Sequence, residues 1–345
     1  MRTTVAYRHA ASAGDGDALV RLCSNESAYG PLPSVVAAID EATTALHRYP
    51  DPACTDLRHD LAARLGAPSD LIHVGPGSGA VLTQLALATV STGEQIVCPW
   101  PSFELYPILA QLADGELVRV PLRHHVADLD AVAERVGPRT RMVLLANPNN
   151  PTSTAVELAA VERLLDTMPQ HALLVVDEAY ADFSADAPQT GLPALVADRA
   201  NLVVTRTFSK LHGLASLRIG YCVADPAVIA SISKLPPPFA VNGLAQAAAL
   251  ASLAAGRELS ARRHEMVAQR RRLVAAIRAG GWEVPAPAGN FVWVAAGRRA
   301  GALGASLESA GILARVFDGE GVRITVGTAI ETTLVVEAFP DQEDL

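Results

Sequence analysis

Short runs of β-branched and aliphatic residues recur at 71–74, 95–98, 117–120, 141–146, 172–176, 202–206 and 218–223, and the stretches between them carry apolar residues at helical spacing. Alternation of this kind predicts βαβ units and a largely parallel sheet of seven strands. The run Leu173, Leu174, Val175, Val176 is apolar at every position, as a strand covered by helices on both faces requires. After the prolines at 236–238 the pattern changes to an alanine-rich helical stretch over 244–279. A smaller α+β unit follows, with strands expected near 291–294, 313–316 and 322–326. The expectation is an α/β protein of two lobes: a large domain over 36–239, and a small domain formed by 1–35 together with 240–345.

Composition narrows the function. A chain of 345 residues with 50% hydrophobic content can bury more core than one typical domain holds. The net charge of −8 argues against a polyanionic partner. The basic cluster Gln269-Arg-Arg-Arg272 then reads as the solvated face of a helix whose apolar side carries Leu273, Val274 and Ile277. Cys23, Cys54, Cys98 and Cys222 show no paired spacing of the zinc or redox type, so reduced, mostly buried thiols and no metal site are expected. Residues 1–19 lack the apolar stretch of a signal peptide, and the most apolar helical window, 245–255, is too short to cross a bilayer. A cytoplasmic protein with no membrane and no nucleic-acid role is expected.

An open α/β sheet binds ligands at the carboxyl ends of its strands, and four segments fall there. Gly75-Pro-Gly-Ser-Gly79 follows the first strand and opens a helix. Ser78 and the first helical amides suit a phosphate, although a glycine turn without a ligand uses the same residues and no dinucleotide fingerprint is completed. Asn147 to Thr152 is an asparagine and proline loop, restricted enough by two prolines to aim an amide at a ligand. Asp177-Glu-Ala-Tyr180 ends an apolar strand in two carboxylates and a phenol, and a carboxylate there suits a protonated ring nitrogen better than a metal. The fourth segment holds Lys210, one of two lysines in an arginine-rich chain. Arginine stays protonated in proteins, so a lysine kept in this position points to amine chemistry such as a Schiff base. Thr207, Ser209 and Arg218 surround it with the hydroxyls and guanidinium that a phosphorylated carbonyl compound needs.

In this order and spacing, the four segments resemble the fold type I pyridoxal phosphate enzymes of the aspartate aminotransferase superfamily. The other matching residues are Asn25-Glu-Ser-Ala-Tyr-Gly-Pro31, Arg48-Tyr-Pro-Asp51, Trp100-Pro-Ser-Phe-Glu-Leu-Tyr-Pro107, Asn290-Phe291 and Gly321-Val-Arg-Ile-Thr-Val-Gly327. From about Leu22 onward the chain is most similar to the histidinol-phosphate aminotransferase family, including its aromatic amino acid (phenylalanine) aminotransferase branch. The resemblance implies a fold type I transferase with pyridoxal 5′-phosphate as cofactor. Lys210 would form the Schiff base and later carry a proton between the substrate α-carbon and the cofactor. Asp177 would keep the pyridine nitrogen protonated, Asn150 and Tyr180 would contact the ring hydroxyl, and Phe103 would stack on the ring. Trp100, Phe103 and Tyr106 equally suit an aromatic cluster at a strand end. Ser78, Gly79, Thr207, Ser209 and Arg218 would hold the phosphate, with Tyr49 arriving from a neighbouring subunit, which implies a homodimer with shared active sites. Arg323 would grip the substrate carboxylate, and Tyr29, Arg315 and Asn290 would line the substrate pocket.

The activity implied is transfer of an amino group between an L-amino acid, aromatic in type, and a 2-oxo acid. Histidinol phosphate is the alternative substrate. A decarboxylase or oxidase of a specialised pathway is the alternative reaction, because it would keep Lys210 and Asp177. A regulator that binds the cofactor without catalysis would bring a basic DNA-binding segment, for which the chain has neither the charge nor the length. Ser153, which stands where the family usually has glycine, the pair Gly79-Ala80, Leu211, His212 and Ser216 depart from the family pattern around the cofactor.

Overall fold

The computed structural model describes residues 19–184 and 191–345; the segment read above for a leader lies, Leu19 apart, outside the described residues. The chain enters through β1 (Val20–Arg21) and then builds a large sheet from β2 (Ile72–Gly75), β3 (Gln95–Trp100), β4 (Glu116–Pro121), β5 (Thr140–Ala146), β6 (Leu173–Asp177), β7 (Leu202–Thr207) and β8 (Gly220–Val223). The order across this sheet is β2-β8-β7-β6-β5-β3-β4. Strands β4, β3, β5, β6 and β7 run parallel, while β8 lies antiparallel to both its neighbours. A small lobe follows from β9 (Phe291–Val294), β10 (Ile312–Leu313), β11 (Arg315–Phe317) and β12 (Gly321–Thr325). Its antiparallel sheet is ordered β11-β12-β9, and β10 pairs in parallel with β1.

Alternation along each strand divides the core of the large lobe into two layers. Val143, Leu145, Leu174, Val176 and Val204 face one layer, with the helices Thr55–Leu65, Leu158–Thr167 and Gly243–Ala254. Met142, Leu144, Ala146, Val175 and Val203 face the other, with the helices Ser78–Thr89 and Tyr106–Leu112. Cover on both faces explains why these strands read as unbroken apolar runs.

Two expectations differ in detail. The helical stretch over 244–279 is two helices, Gly243–Ala254 and Gly256–Ala279, because Ala255 leaves helical geometry at ψ 42. The strand expected over 313–316 changes partners at Ala314: Leu313 pairs with β1, and Arg315 begins the pairing with β12. All four cysteines are buried free thiols. Among the described residues, no helix is long and apolar enough to cross a membrane and no side-chain group suits a metal ion.

The inversion of β8 positions the site. Its first residue, Gly220, pairs with Thr207 at the end of β7 and with Gly75 at the end of β2. The start of one strand and the carboxyl ends of its neighbours therefore meet at a single edge of the sheet.

Candidate active site

A cavity of about 330 Å3 lies at that edge, between the large sheet and the small lobe. Ser78, Gly79, Thr207, Ser209 and Arg218 line one end. Ser78 is the first residue of the helix Ser78–Thr89, whose opening amides have no partner within the helix and point a positive dipole end into the cavity. Gly77, at φ 89, lets this turn lie against Arg218: a Cβ on Gly77 would stand 2.6 Å from Arg218 Nη2. Arg218 itself holds left-handed backbone at φ 54. Thr207 Oγ1 donates to Ser209 Oγ at 2.9 Å and accepts from the Ser209 amide at 3.1 Å, turning the chain sharply after β7. Backbone amides, two hydroxyls and a guanidinium thus converge as an anion receptor.

At the centre of the cavity, β6 ends in Asp177, which is 5% exposed. Its Oδ1 accepts from Thr205 Oγ1 and the Ala179 amide, each at 3.2 Å, and its Oδ2 accepts from Tyr106 Oη at 3.3 Å. Burial pushes this carboxyl up to about 6 against the pull of those donors. The neighbouring carboxylate takes no part, since Glu178 turns away to an ion pair with Arg206 at 2.7 Å. Lys210 lies across the cavity, with Nζ 5.5 Å from the centre of the Tyr180 ring. Burial, followed by the nearby Arg323 guanidinium, brings the Lys210 ammonium down to about 8. The Tyr180 hydroxyl is fixed by Asn25 Nδ2, which donates to it at 3.1 Å. Phe103 lines the cavity and meets Tyr106 edge to face at 5.8 Å, whereas Trp100 lies instead under the Arg119 guanidinium.

The small lobe closes the far end. Arg323 on β12 donates through Nη1 to Asn150 Oδ1 at 2.5 Å and through Nη2 to the Cys23 carbonyl at 2.6 Å. Asn150 belongs to a loop whose other asparagines are tied down through their side chains. Asn147 pairs with the Val156 amide and carbonyl, and Asn149 bonds Ser102 and Thr152. Arg315, also lining the cavity, donates to both carboxylate oxygens of Glu104 at 2.9 and 3.1 Å.

Three expected residues stand outside the lining of this cavity. Tyr29 packs beside Tyr180 and Leu211 with the Arg262 guanidinium 5.8 Å from its ring. Asn290 holds the chain from behind, donating to the Asn25 and Glu26 carbonyls at 3.3 and 3.2 Å. Tyr49 is 81% exposed at the surface and stacks on Phe239 at 4.5 Å. Reading the sequence passed over the roles of Asn25, Glu104, Tyr106 and Thr205. Thr205 reaches Asp177 because it is its register partner on the adjacent strand, a relation with no local sequence signal.

Of the residues that depart from the family pattern, Gly79 lines the cavity, whereas Ser153, Ala80, Leu211, His212 and Ser216 lie outside its lining. Ser153 adopts φ 61, donates through Oγ to the Phe291 carbonyl at 2.8 Å and accepts from the Gly289 amide at 3.0 Å. His212 pairs with Ser252 at 2.8 Å and Leu211 is buried in packing, so both serve the scaffold beneath the lysine turn.

The donor set fits a phosphorylated pyridine aldehyde. The anion receptor suits its phosphate, the buried Asp177 suits a ring cation that would offset its desolvation, and Lys210 is an amine partly neutral near physiological pH.

The family model for aminotransferase class I and II matches residues 17–339. An aromatic amino acid aminotransferase of Thermobifida fusca is 48% identical over 307 residues, covering 89% of this chain and 86% of that protein. A protein of the same name from Streptomyces coelicolor is 44% identical over 317 residues, covering 92% and 88%. Among solved structures, histidinol-phosphate aminotransferase from Sinorhizobium meliloti in complex with pyridoxal 5′-phosphate superposes with a TM-score of 0.87 at 30% identity, covering 93% of this chain and 90% of that one. The chain belongs to the class I and II aminotransferases and is a pyridoxal phosphate-dependent transaminase.

Proposed function

We propose that the enzyme transfers the amino group of an aromatic L-amino acid to a 2-oxo acid in a ping-pong cycle. The observation that carries this reading is the 48% identity, across nine-tenths of the chain, to a protein named for that activity.

Lys210 would supply the amine that holds the cofactor through its aldehyde and the base at the substrate α-carbon. Asp177, oriented by its three donors, holds the ring nitrogen. Asn150 and Tyr180 meet the ring hydroxyl and Phe103 covers a ring face. Ser78, Gly79, Thr207, Ser209 and Arg218 hold the phosphate. Bound in this way, pyridoxal phosphate supplies an electron-withdrawing ring that spreads the negative charge left when the α-proton departs. Arg323 takes the substrate carboxylate in a two-pronged contact, and its own bond to Asn150 ties substrate position to the ring edge. Arg315 faces the substrate side chain, while Tyr29 and Asn290 support the pocket wall from outside the cavity.

Tyr49 reaches the phosphate of a second subunit in a homodimer with shared sites. Its exposure, beside exposed Leu46 and stacked on Phe239, favours cover by another copy of the chain. The large domain spans 36–239, with 1–35 and 240–345 as the small domain, and the enzyme works in the cytoplasm.

The test is the visible absorbance of the holoenzyme, followed without an acceptor as single L-amino acids and histidinol phosphate are added. Loss of the yellow colour on adding phenylalanine or tyrosine is expected. Loss with histidinol phosphate alone moves the enzyme to that substrate, and release of carbon dioxide or consumption of oxygen replaces transamination with the rival chemistry.

A further inference from the structure

Arg315 and Arg323 are register partners on β11 and β12, so they stand side by side on one face of the small sheet and line the same cavity. Two guanidiniums so placed would suit a substrate with an anion at each end. Arg315, however, already donates through Nη2 to both oxygens of Glu104, with its side chain 16% exposed and that of Glu104 31% exposed. Glu104 comes from the loop after β3 in the large lobe and also lines the cavity.

We propose that Glu104 sets the charge preference of the substrate side chain by neutralising Arg315. Resting on the transaminase reading above, this assigns the side-chain end of the site to neutral groups. A carboxylate or phosphate arriving there meets the Glu104 carboxylate and must break its ion pair to reach Arg315, and both steps disfavour it. A flat aromatic ring faces no such opposition. It can lie against the planar guanidinium, whose position is already fixed by Glu104 on one side and by Phe317, with its ring centre 5.9 Å away, on the other. Specificity here is built by exclusion, and the excluding group is not the arginine but the carboxylate that holds it.

The test compares holoenzymes carrying the native residue, Glu104→Gln, or Glu104→Gln together with Arg315→Gln. Each is assayed for kcat/KM in the amino-donor half-reaction with L-phenylalanine, L-aspartate and O-phospho-L-serine. The ratio of anionic to neutral substrate is expected to rise about tenfold in Glu104→Gln and to fall back in the double variant. General damage to the fold lowers all rates together and cancels in the ratio. An unchanged ratio in Glu104→Gln, or a rise that persists once Arg315 is removed, overturns the proposal. If phenylalanine is not a donor, the aromatic reading fails by itself, and the same ratio is taken against the best neutral L-amino acid.

Discussion

Lys210 begins its chemistry with an advantage that burial and Arg323 give it, because an ammonium brought from 10.5 to about 8 yields its free amine far more readily near neutral pH. The reaction of the apoenzyme with pyridoxal phosphate should accelerate as pH rises through about 8, and Arg323→Gln should move that rise to higher pH. Stopped-flow absorbance across pH measures both, and Lys210→Ala should abolish turnover. The folded state binds fewer protons at Lys210 than the unfolded chain between about 8 and 10.5, so this group's contribution to apoenzyme stability increases as pH rises through that window. Ser153 is the second informative residue. Ser153→Ala keeps a left-handed backbone and strands two buried partners, the Phe291 carbonyl and the Gly289 amide, at an expected cost of about 2 kcal/mol in denaturant unfolding. Ser153→Gly loses the same bonds but relieves the backbone, so its loss should be smaller. The departure from glycine at this position is a structural stitch between the lobes.

At the scale of elements, the strands of the large sheet were legible as short apolar runs between helical patterns; in the central strands burial on both faces leaves little polar alternation, whereas the edge strand β4 was legible although half exposed. The reversed direction of β8 was not legible. Residues 208–219, which connect it to β7, carry the lysine turn, and β2 joins its other side from far away in sequence. Neither relation leaves a periodic trace. The four loops were legible as chemistry through their residue types, but the partners of Asp177 were not, since Tyr106 and Thr205 reach it from other elements. The consequence of the reversal is measurable. A Cβ on Gly220 would come within 2.5 Å of the Ser78 amide nitrogen and 2.9 Å of the Arg206 carbonyl, both backbone atoms. Gly220→Ala should therefore cost about 1 to 3 kcal/mol by forcing β8 from the helix start. It should also weaken cofactor binding, which fluorescence titration of the apoenzyme would show.

For the whole molecule, the exposed Tyr49 stacked on the exposed Phe239 is the surface on which the proposed dimer rests. Sedimentation should show a dimer, and Tyr49→Phe should leave that dimer intact while loosening pyridoxal phosphate on the order of tenfold, the worth of one hydrogen bond to a charged group. The two lobes are joined across the site by Glu104 with Arg315 and Asn150 with Arg323, and outside the cavity lining by Ser153 with Phe291.

The bond from Arg323 to the Cys23 carbonyl spans 300 residues of sequence, as does that from the Asn25 amide to the Thr325 hydroxyl. The segment leaving β1 therefore emerges from the ribosome about 300 residues before its partners on β12. Closing so long a loop costs little more entropy than closing one half its length, but it fixes an order of events. However much of the large sheet has been made, the grip for a substrate carboxylate is incomplete until β12 is free to bring Arg323 to Asn150 and the Cys23 carbonyl.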